Sequence, residues 1–348
     1  MKYIFTKVAL TTTLLLSSLT TSAQACTRII YEGSDNRQIT TRSMDWETNL
    51  ETSLWIFPAK MQRDGGIDSK SIKWTSKYGS IVAVGFNAVT ADGMNEKGLV
   101  ANLLWLGEAD YGESNKPTIS IGAFTQYVLD NYANVEDAVN GLNKKTFQII
   151  APSIPGEDEE SKMHLTISDP TGDSAIIEFI NGQMVVLHSK EYKVATNSPT
   201  YEQQLSINSY WEDVGGNAML PGTHRPADRF ARASFYTNNT LNTKSFSSER
   251  MAVATAVSII REASVPLGVK IPQEGPLPFT LWRTIADQKS LKYYFDSAVS
   301  ASIYWVDINK LDLKEGASVK TLDLKGYPNY SGEVSNEFID SKPFKWLH

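Results

Sequence analysis

Short runs rich in apolar and β-branched residues recur along the early part of the chain, and such runs between turn residues predict β-strands. Glycine, aspartate and asparagine residues in the intervening segments predict turns. The strands predicted in this way span residues 27–31, 38–43, 53–57, 81–86 and 98–105. A sheet therefore forms the first part of the predicted fold.

Two helices are predicted to follow this sheet. Between residues 119 and 131 apolar side chains recur at helical spacing, and Asn134 is a suitable N-cap for a second helix over residues 135–142. Apolar and polar residues then alternate, with Asn181 and Gly182 as a hairpin turn. The strands predicted there span residues 163–168, 174–180, 183–188 and 192–195.

The remaining pattern repeats this arrangement. Ser247, Ser248 and Glu249 predict the start of a helix, and strands are predicted at 281–285, 291–295 and 301–306. We interpret the acidic segment 152–160 as a surface loop, because strand patterns flank it on both sides. Blocks of strands and helices in this order favour an α+β fold in which two antiparallel sheets pack face to face with helices outside, although the pattern alone leaves other α+β arrangements open.

The start of the chain has the features of a secretory signal peptide. A basic beginning is followed by an apolar run over residues 8–19 that is too short to span a bilayer, and Ala23 and Ala25 supply the small residues that signal peptidase needs. We therefore expect residues 1–25 to be removed, a single domain over residues 26–348, and a periplasmic or secreted location. Lipoprotein signals also end directly before a cysteine, so a lipid-anchored binding protein acylated at Cys26 is an alternative, which Ala23 and Gln24 fit poorly.

Charge narrows the choice of partners. The formal net charge of the 348 residues is −6, and loss of Lys2 and Lys7 with the leader makes it −8, which argues against nucleic acid and anionic membranes. After the leader, no apolar run approaches the ~20 residues of a membrane helix. Small molecules remain as the expected partners.

Cys26 is the only cysteine, so it cannot form an intrachain disulfide. At the N-terminus of a cleaved chain it would carry a thiol together with an α-amino group, and such an amine, which titrates at ~7.7–8.0, can take the thiol proton near neutral pH. From the leader alone, an incidental cysteine explains the position equally well. The four histidines are not at metal-binding spacing, and no phosphate-binding glycine loop is present, so we expect no metal and no cofactor.

Arg42 and Asp45 follow Cys26 across a predicted hairpin, where a returning strand can bring them beside it, although an exposed strand end and a turn would also explain them. Further motifs follow in the sequence, so that the full series is Cys26-Thr27, Arg42-Ser43-Met44-Asp45, residues 91–99, residues 196–199, residues 220–222, and residues 229–235 with Arg229-Phe230 at their start. With these motifs the sequence resembles the choloylglycine hydrolases, N-terminal nucleophile hydrolases that include penicillin V acylases and conjugated bile salt hydrolases. The resemblance covers essentially the whole mature chain and implies a four-layer αββα sandwich.

The resemblance implies a role for each of five residues. Cys26 would be the nucleophile, Asp45 would hold the α-amino group, and Arg42 would lie close to the sulfur, where its charge favours the thiolate. Asn197 would donate to the oxyanion, and Arg229 would complete the polar cluster.

Two differences separate the chain from Gram-positive bile salt hydrolases. Those enzymes have an asparagine that assists the oxyanion where this chain has Trp105, so only the backbone N–H of Trp105 is left for that task. Between Asn197 and Arg229 the chain is roughly twenty residues shorter, which removes much of a loop used in tetramer assembly and leaves homo-oligomerisation open.

The resemblance is therefore strongest to the Gram-negative branch. It implies amide hydrolysis through a thioester acyl-enzyme, as in penicillin V acylases and acylases of N-acyl homoserine lactones, with conjugated bile salt hydrolysis as the alternative. An apolar or aromatic acyl group would fit Met44, Trp46, Trp105 and Leu106 if these line the mouth of a pocket. Core packing is the competing interpretation for each of them.

Overall fold

A computed structural model describes residues 25–154, 160–216, 218–241, 248–271 and 275–348. The predicted leader up to residue 24, most of the acidic loop and Ser247 lie outside these residues. The helices are α1 (Ile121–Asn131), α2 (Val135–Leu142), α3 (Tyr201–Val214), α4 (Pro226–Asn238) and α5 (Glu249–Glu262). The strands are β1 (Thr27–Gly33), β2 (Arg37–Trp46), β3 (Ser53–Phe57), β4 (Gln62–Asp64), β5 (Lys73–Thr75), β6 (Ser80–Gly85), β7 (Val89–Asn95), β8 (Val100–Trp105), β9 (Thr118–Ser120), β10 (Gln148–Ile150), β11 (Met163–Ser168), β12 (Ser174–Ile180), β13 (Gln183–His188), β14 (Val194–Ala195), β15 (Lys270–Ile271), β16 (Gly275–Pro276), β17 (Phe279–Asp287), β18 (Lys292–Ser297), β19 (Tyr304–Asp307), β20 (Lys320–Asp323), β21 (Gly332–Glu333) and β22 (Ile339–Asp340).

Two large sheets form the centre of the fold. The first sheet has seven strands in the order β14-β1-β2-β17-β18-β19-β21, and the second has nine in the order β13-β12-β11-β8-β7-β6-β3-β20-β22. Neighbouring strands are antiparallel, except that β21 runs parallel to β19. Helix α1 packs on β7 and β8 of the second sheet, whereas α4 and α5 pack on β1, β2 and β17 of the first sheet. The predicted α+β sandwich of four layers is confirmed.

Three apolar cores separate the four layers. One core lies between the second sheet and helices α1 and α2, a second lies between the two sheets, and a third lies between the first sheet and helices α4 and α5. Both faces of β1 and β2 are therefore buried, with Ile29 and Ile39 toward the helices and Met44 toward the second sheet. Alternate residues of these strands reach two different chemical environments.

Local signals place several elements as predicted. The side chain of Asn134 accepts a hydrogen bond from the backbone N–H of Asp137 and caps α2, and Ser248 caps α5 through the N–H of Met251. Asn181 and Gly182 both adopt positive φ in the turn between β12 and β13. The helix predicted from residue 119 begins instead at Ile121, because Thr118–Ser120 pairs with β10 and Ser120 caps α1.

Helices α3 and α4 and several strands, among them β7 and the three after β19, are absent from the sequence-based prediction. The buried face of α3 consists of Tyr201, Gln204 and Asn208, so this helix has no apolar stripe for periodicity to detect. Arg229 is likewise buried in α4. Within the described ranges, no helix is long and apolar enough to cross a membrane.

Candidate active site

Cys26 lies directly before β1 at the interface between the two sheets, and only 1% of its surface is exposed. Its Sγ is 3.6 Å from Nη2 of Arg42 and 3.9 Å from Sδ of Met44, two residues of the neighbouring strand β2. The preceding residue, Ala25, is equally buried and packs against Val265 and Leu277. The sulfur is thus in contact with a cation and with an apolar side chain.

Arg42 is held on the inner face of the first sheet. Its Nη2 also donates to the carbonyl oxygen of Leu103 at 2.7 Å, and its guanidinium lies 4.8 Å from the ring centroid of Trp282. In the described part of the chain, Nε and Nη1 of Arg42 have no hydrogen-bond partner. The carbonyl and the ring fix the guanidinium beside the sulfur while leaving donors unused.

A buried carboxylate on the second sheet faces Arg42. Asp92 accepts hydrogen bonds from the Tyr293 hydroxyl and, at 2.7 Å, from Nδ2 of Asn102. Burial raises the pKa of Asp92, and the charge of Arg42 acts to lower it. Asp92 belongs to the motif over residues 91–99, but its place as a counter-charge for Arg42 was not predicted.

Asp45 lies on the opposite face of β2, toward the helices. Its carboxylate accepts hydrogen bonds from Thr280 Oγ1 at 2.5 Å and from Ser43 Oγ at 3.3 Å. Burial raises its pKa to about 6, while the nearby arginines, chiefly Arg229, act to lower it. The backbone N–H of Thr27 donates to Ser43 Oγ at 3.2 Å, so one hydroxyl separates Asp45 from the chain beside Cys26.

Arg229 joins Asn197 to the N-terminal strand. From α4, its Nη1 donates to the carbonyl oxygen of Cys26 at 2.6 Å and to Thr27 Oγ1, and its Nη2 donates to Oδ1 of Asn197 at 2.8 Å. Asn197 Nδ2 in turn donates to the carbonyl oxygen of Trp105 at 2.9 Å. Burial lowers the pKa of Arg229 to about 10, and the charge of Asp45 partly offsets this effect.

Gln204 is a residue of this cluster that the sequence did not reveal. From the buried face of α3, its Nε2 donates to the carbonyl oxygens of Asn197 and, at 3.0 Å, of Pro199, while its Oε1 accepts from Thr196 Oγ1 at 2.5 Å. Three hydrogen bonds from one side chain therefore hold the loop that carries Asn197. No sequence signal pointed to Gln204 because its helix was not predicted: α3 lacks the apolar periodicity that predicts a helix.

An apolar pocket of about 40 Å³ adjoins the sulfur at Met44. Trp46 also lies in its wall, whereas Trp105 packs edge-on behind Trp46 with ring centroids 6.1 Å apart. Leu106 is fully buried, with its N–H bonded to the carbonyl oxygen of Lys162. Met44 and Trp46 therefore line the pocket, and neither Trp105 nor Leu106 is among the lining residues within the described ranges.

Two of the histidines lie against carboxylates in the second sheet. His164 is 3.7 Å from Glu178, and His188 is 2.8 Å from Asp173. Among the residues that the structure describes, no group of three or more His, Cys, Asp and Glu side chains could hold a metal ion. The site therefore combines a thiol, a cation, an amide donor and an apolar pocket. This combination is suited to attack on the carbonyl of an apolar acyl group.

Comparisons with known proteins agree with this chemistry. A model of the family described as linear amide C–N hydrolases, choloylglycine hydrolase family, matches residues 26–327. Penicillin V acylase from Pectobacterium atrosepticum is 47% identical over 347 residues, which cover 92% of each chain. The solved structure of penicillin V acylase from Agrobacterium tumefaciens has a TM-score of 0.85 at 45% identity and covers 92% of this chain and 99% of that chain. A mutant of conjugated bile acid hydrolase from Clostridium perfringens has a TM-score of 0.73 at 23% identity, covering 89% and 98%, a similarity that shows the fold alone.

Proposed function

The chain belongs to the choloylglycine hydrolase family of linear amide C–N hydrolases, and on this premise we propose that Cys26, exposed by signal peptidase as the N-terminal residue, is its nucleophile. The observation that carries the proposal is the 3.6 Å separation between Cys26 Sγ and Arg42 Nη2. A guanidinium at this distance favours the thiolate, the reactive form of cysteine. The match to the family model supports removal of the leader, because it begins at residue 26.

Acylation begins when the sulfur attacks the substrate carbonyl carbon. By then the thiol proton has passed to the α-amino nitrogen of Cys26, directly or through water, so the sulfur attacks as a thiolate beside an ammonium, and the carbonyl π electrons move to oxygen. The side-chain amide of Asn197 and the backbone N–H of Trp105 donate to that oxyanion. Arg229 supports this role because its bond to Oδ1 directs the Nδ2 donor of Asn197 toward Trp105.

Collapse of the intermediate breaks the C–N bond, and the leaving amine takes the proton from the α-amino group. A thioester between Cys26 and the acyl group remains. Water attacks its carbonyl carbon, the C–S bond breaks, and the acid leaves while the thiol is restored. The same amine serves as base in each attack and as acid in each departure.

Asp45 holds the freed α-amino group in this scheme. Thr27 pairs with Ser43 across β1 and β2, so the same register extended toward the leader brings residue 25 opposite Asp45. Removal of residue 25 leaves the ammonium of Cys26 in the space that residue 25 occupied, beside the buried carboxylate of Asp45. Pairing of the two charges would offset the cost of burying either one.

The proposed substrate is phenoxymethylpenicillin or an amide with a similar apolar or aromatic acyl group, and N-acyl homoserine lactones fall in the same class. The 47% identity to a penicillin V acylase and the apolar wall at Met44 and Trp46 support this choice. We propose a periplasmic or secreted location for the mature chain, in keeping with the leader.

Turnover of three amides tests the substrate. We expect kcat/KM to be highest for phenoxymethylpenicillin, lower for an acyl homoserine lactone and lowest for glycocholate. A clear preference for glycocholate would contradict the proposed substrate, and no turnover of any amide would contradict the proposed function. Mass spectrometry of the exported protein should show an unmodified Cys26 at the N-terminus, whereas a diacylglyceryl adduct would indicate the lipid-anchored alternative.

A further inference from the structure

Segment 344–348 folds back onto the second sheet beside the pocket. The backbone N–H of Leu347 donates to the carbonyl oxygen of Ala88 at 3.0 Å, and the Leu347 carbonyl accepts from Ser120 Oγ at 2.5 Å. Ala88 precedes β7, and Ser120 caps α1. Two hydrogen bonds therefore fix Leu347 between the start of β7 and the start of α1.

Aromatic packing holds the same segment. The Trp346 ring is 4.8 Å from the Phe344 ring and nearly perpendicular to it, and Phe344 lies 5.2 Å from Trp55 in the same manner. The guanidinium of Arg63 lies 5.6 Å from the Trp346 centroid. Contacts of this kind contribute about 0.5–1.5 kcal/mol each beyond the burial of area, so the segment is a packed part of the fold.

The Leu347 side chain lines the pocket that begins at Met44. Its neighbours in the wall include Val89 and Ile121, each next in sequence to a residue that tethers Leu347. Gly122 permits this approach, because a Cβ there would lie 3.3 Å from Leu347 Cβ and 3.1 Å from the Ala88 carbonyl oxygen. The pocket thus has one wall on the first sheet, at Met44, whose sulfur is 3.9 Å from that of Cys26, and another formed by segment 344–348.

The pocket is small, so each residue of its wall affects which acyl group can fit. Its volume of about 40 Å³ is small beside the roughly 300–1,000 Å³ of most ligand pockets. An acyl group must therefore displace side chains or be limited by them. A leucine at the wall removes space that a few methylene groups of a substrate would otherwise occupy.

We propose that Leu347 is a specificity-determining residue and that segment 344–348 is the wall that limits the length of the acyl group. The inference rests on the proposed function, in which this pocket takes the acyl group. Shortening the side chain opens space at the wall and favours longer acyl groups, and enlarging it favours shorter ones. One methylene in an apolar pocket changes relative rates by about tenfold or more.

The test compares two anilides of the same amine, with butanoyl and octanoyl acyl groups. In Leu347→Ala the octanoyl-to-butanoyl ratio of kcat/KM should rise at least about tenfold, and in Leu347→Phe it should fall. The ratio is independent of the fraction of enzyme that folds. Leu324→Ala is the matched control, because Leu324 has the same 9% exposure and is not a lining residue of this pocket, and its ratio should equal that of the wild type.

Binding of the corresponding acids separates this inference from the proposed function. Titration calorimetry with butanoate and octanoate should show the same change in ratio as hydrolysis does. An unchanged binding ratio in Leu347→Ala overturns the inference whatever the hydrolysis rates. Absence of hydrolysis by the wild type contradicts the proposed function instead, and the binding ratio then still decides the role of Leu347.

Discussion

Retention of residues 1–25 before Cys26 should abolish hydrolysis and also lower the free energy of unfolding at neutral pH. With Ala25 in place, Asp45 is fully buried, and burial raises its pKa from the ordinary value of 3.8 to about 6. The folded state therefore binds the proton more tightly than the unfolded state. The stability that Asp45 contributes by binding this proton is fully present below pH 3.8 and is lost as pH rises through about 6.

The size of this loss follows from the two pKa values. A rise from 3.8 to about 6 corresponds to about 3 kcal/mol of stability lost at neutral pH. On the proposed pairing, the α-amino cation of a chain that begins at Cys26 offsets this loss. We expect the chain that begins at Cys26 to be more stable by up to about 3 kcal/mol at neutral pH, with the difference shrinking toward about pH 4.

Substitution of Asp45 should then act with opposite signs in the two forms. In the chain that retains residues 1–25, Asp45→Asn removes a buried charge and should raise the free energy of unfolding by about 3 kcal/mol at neutral pH. In the chain that begins at Cys26 the same change leaves a buried ammonium without its partner and should lower it.

Urea unfolding followed by tryptophan fluorescence at several pH values measures these differences. Both forms can be expressed without export, one with residues 1–25 and the other with an initiating methionine that is removed before Cys26. Asp130→Asn is the control, because Asp130 is a fully buried carboxylate bonded to Trp74 and Gln126, and it should affect both forms alike. If Asp45→Asn changes the stability of both forms with the same sign, the pairing with the α-amino group is refuted.

Three further predictions concern activity. Cys26→Ser should reduce kcat by several orders of magnitude, and full activity of the purified variant would exclude the thiol as nucleophile. Asn197→Ala should reduce kcat by about 10²–10³ with little change in KM, as measured in initial-rate assays, because an oxyanion donor acts in the transition state. Gln204→Leu removes the three bonds that hold the Asn197 loop and should reduce kcat by about tenfold to a hundredfold; combined with Asn197→Ala it should add little, and full additivity would argue against positioning.

The strands and the capped helices could be predicted because their signals are local. The apolar residues of segments 53–57 and 163–168 predict strands because these strands are buried in the apolar cores. Asn134 predicts a helix start because its own side chain caps the helix. Helix α3 could not be found in this way, since its buried face carries Gln204 and Asn208 for purposes that only the tertiary structure reveals. Polar groups on a buried face remove the periodicity on which such predictions depend.

The site was predictable only as far as motifs carried it. Arg42 and Asp45 were expected beside Cys26, but the strand predicted there ends at residue 43, whereas β2 continues to Trp46 and so places Arg42 and Asp45, three residues apart, on opposite faces. Gln204 and Leu347 had no signal at all, because one acts through backbone carbonyls and the other reaches the pocket from a distant part of the sequence.

The burial of Ala25 and Cys26 imposes an order on maturation. Both residues are 1% exposed, Arg229 binds the carbonyl of Cys26, and a protease needs its substrate as an accessible extended segment. On the proposed cleavage, the leader must therefore leave before β1 joins its sheet, and a chain that folds first is trapped as an inactive precursor. On the proposed export, the chain crosses the membrane unfolded, so that signal peptidase can cleave it before it folds. The yield of active enzyme is then governed by the relative speeds of secretion and folding, and a protease added to the folded precursor cannot recover it.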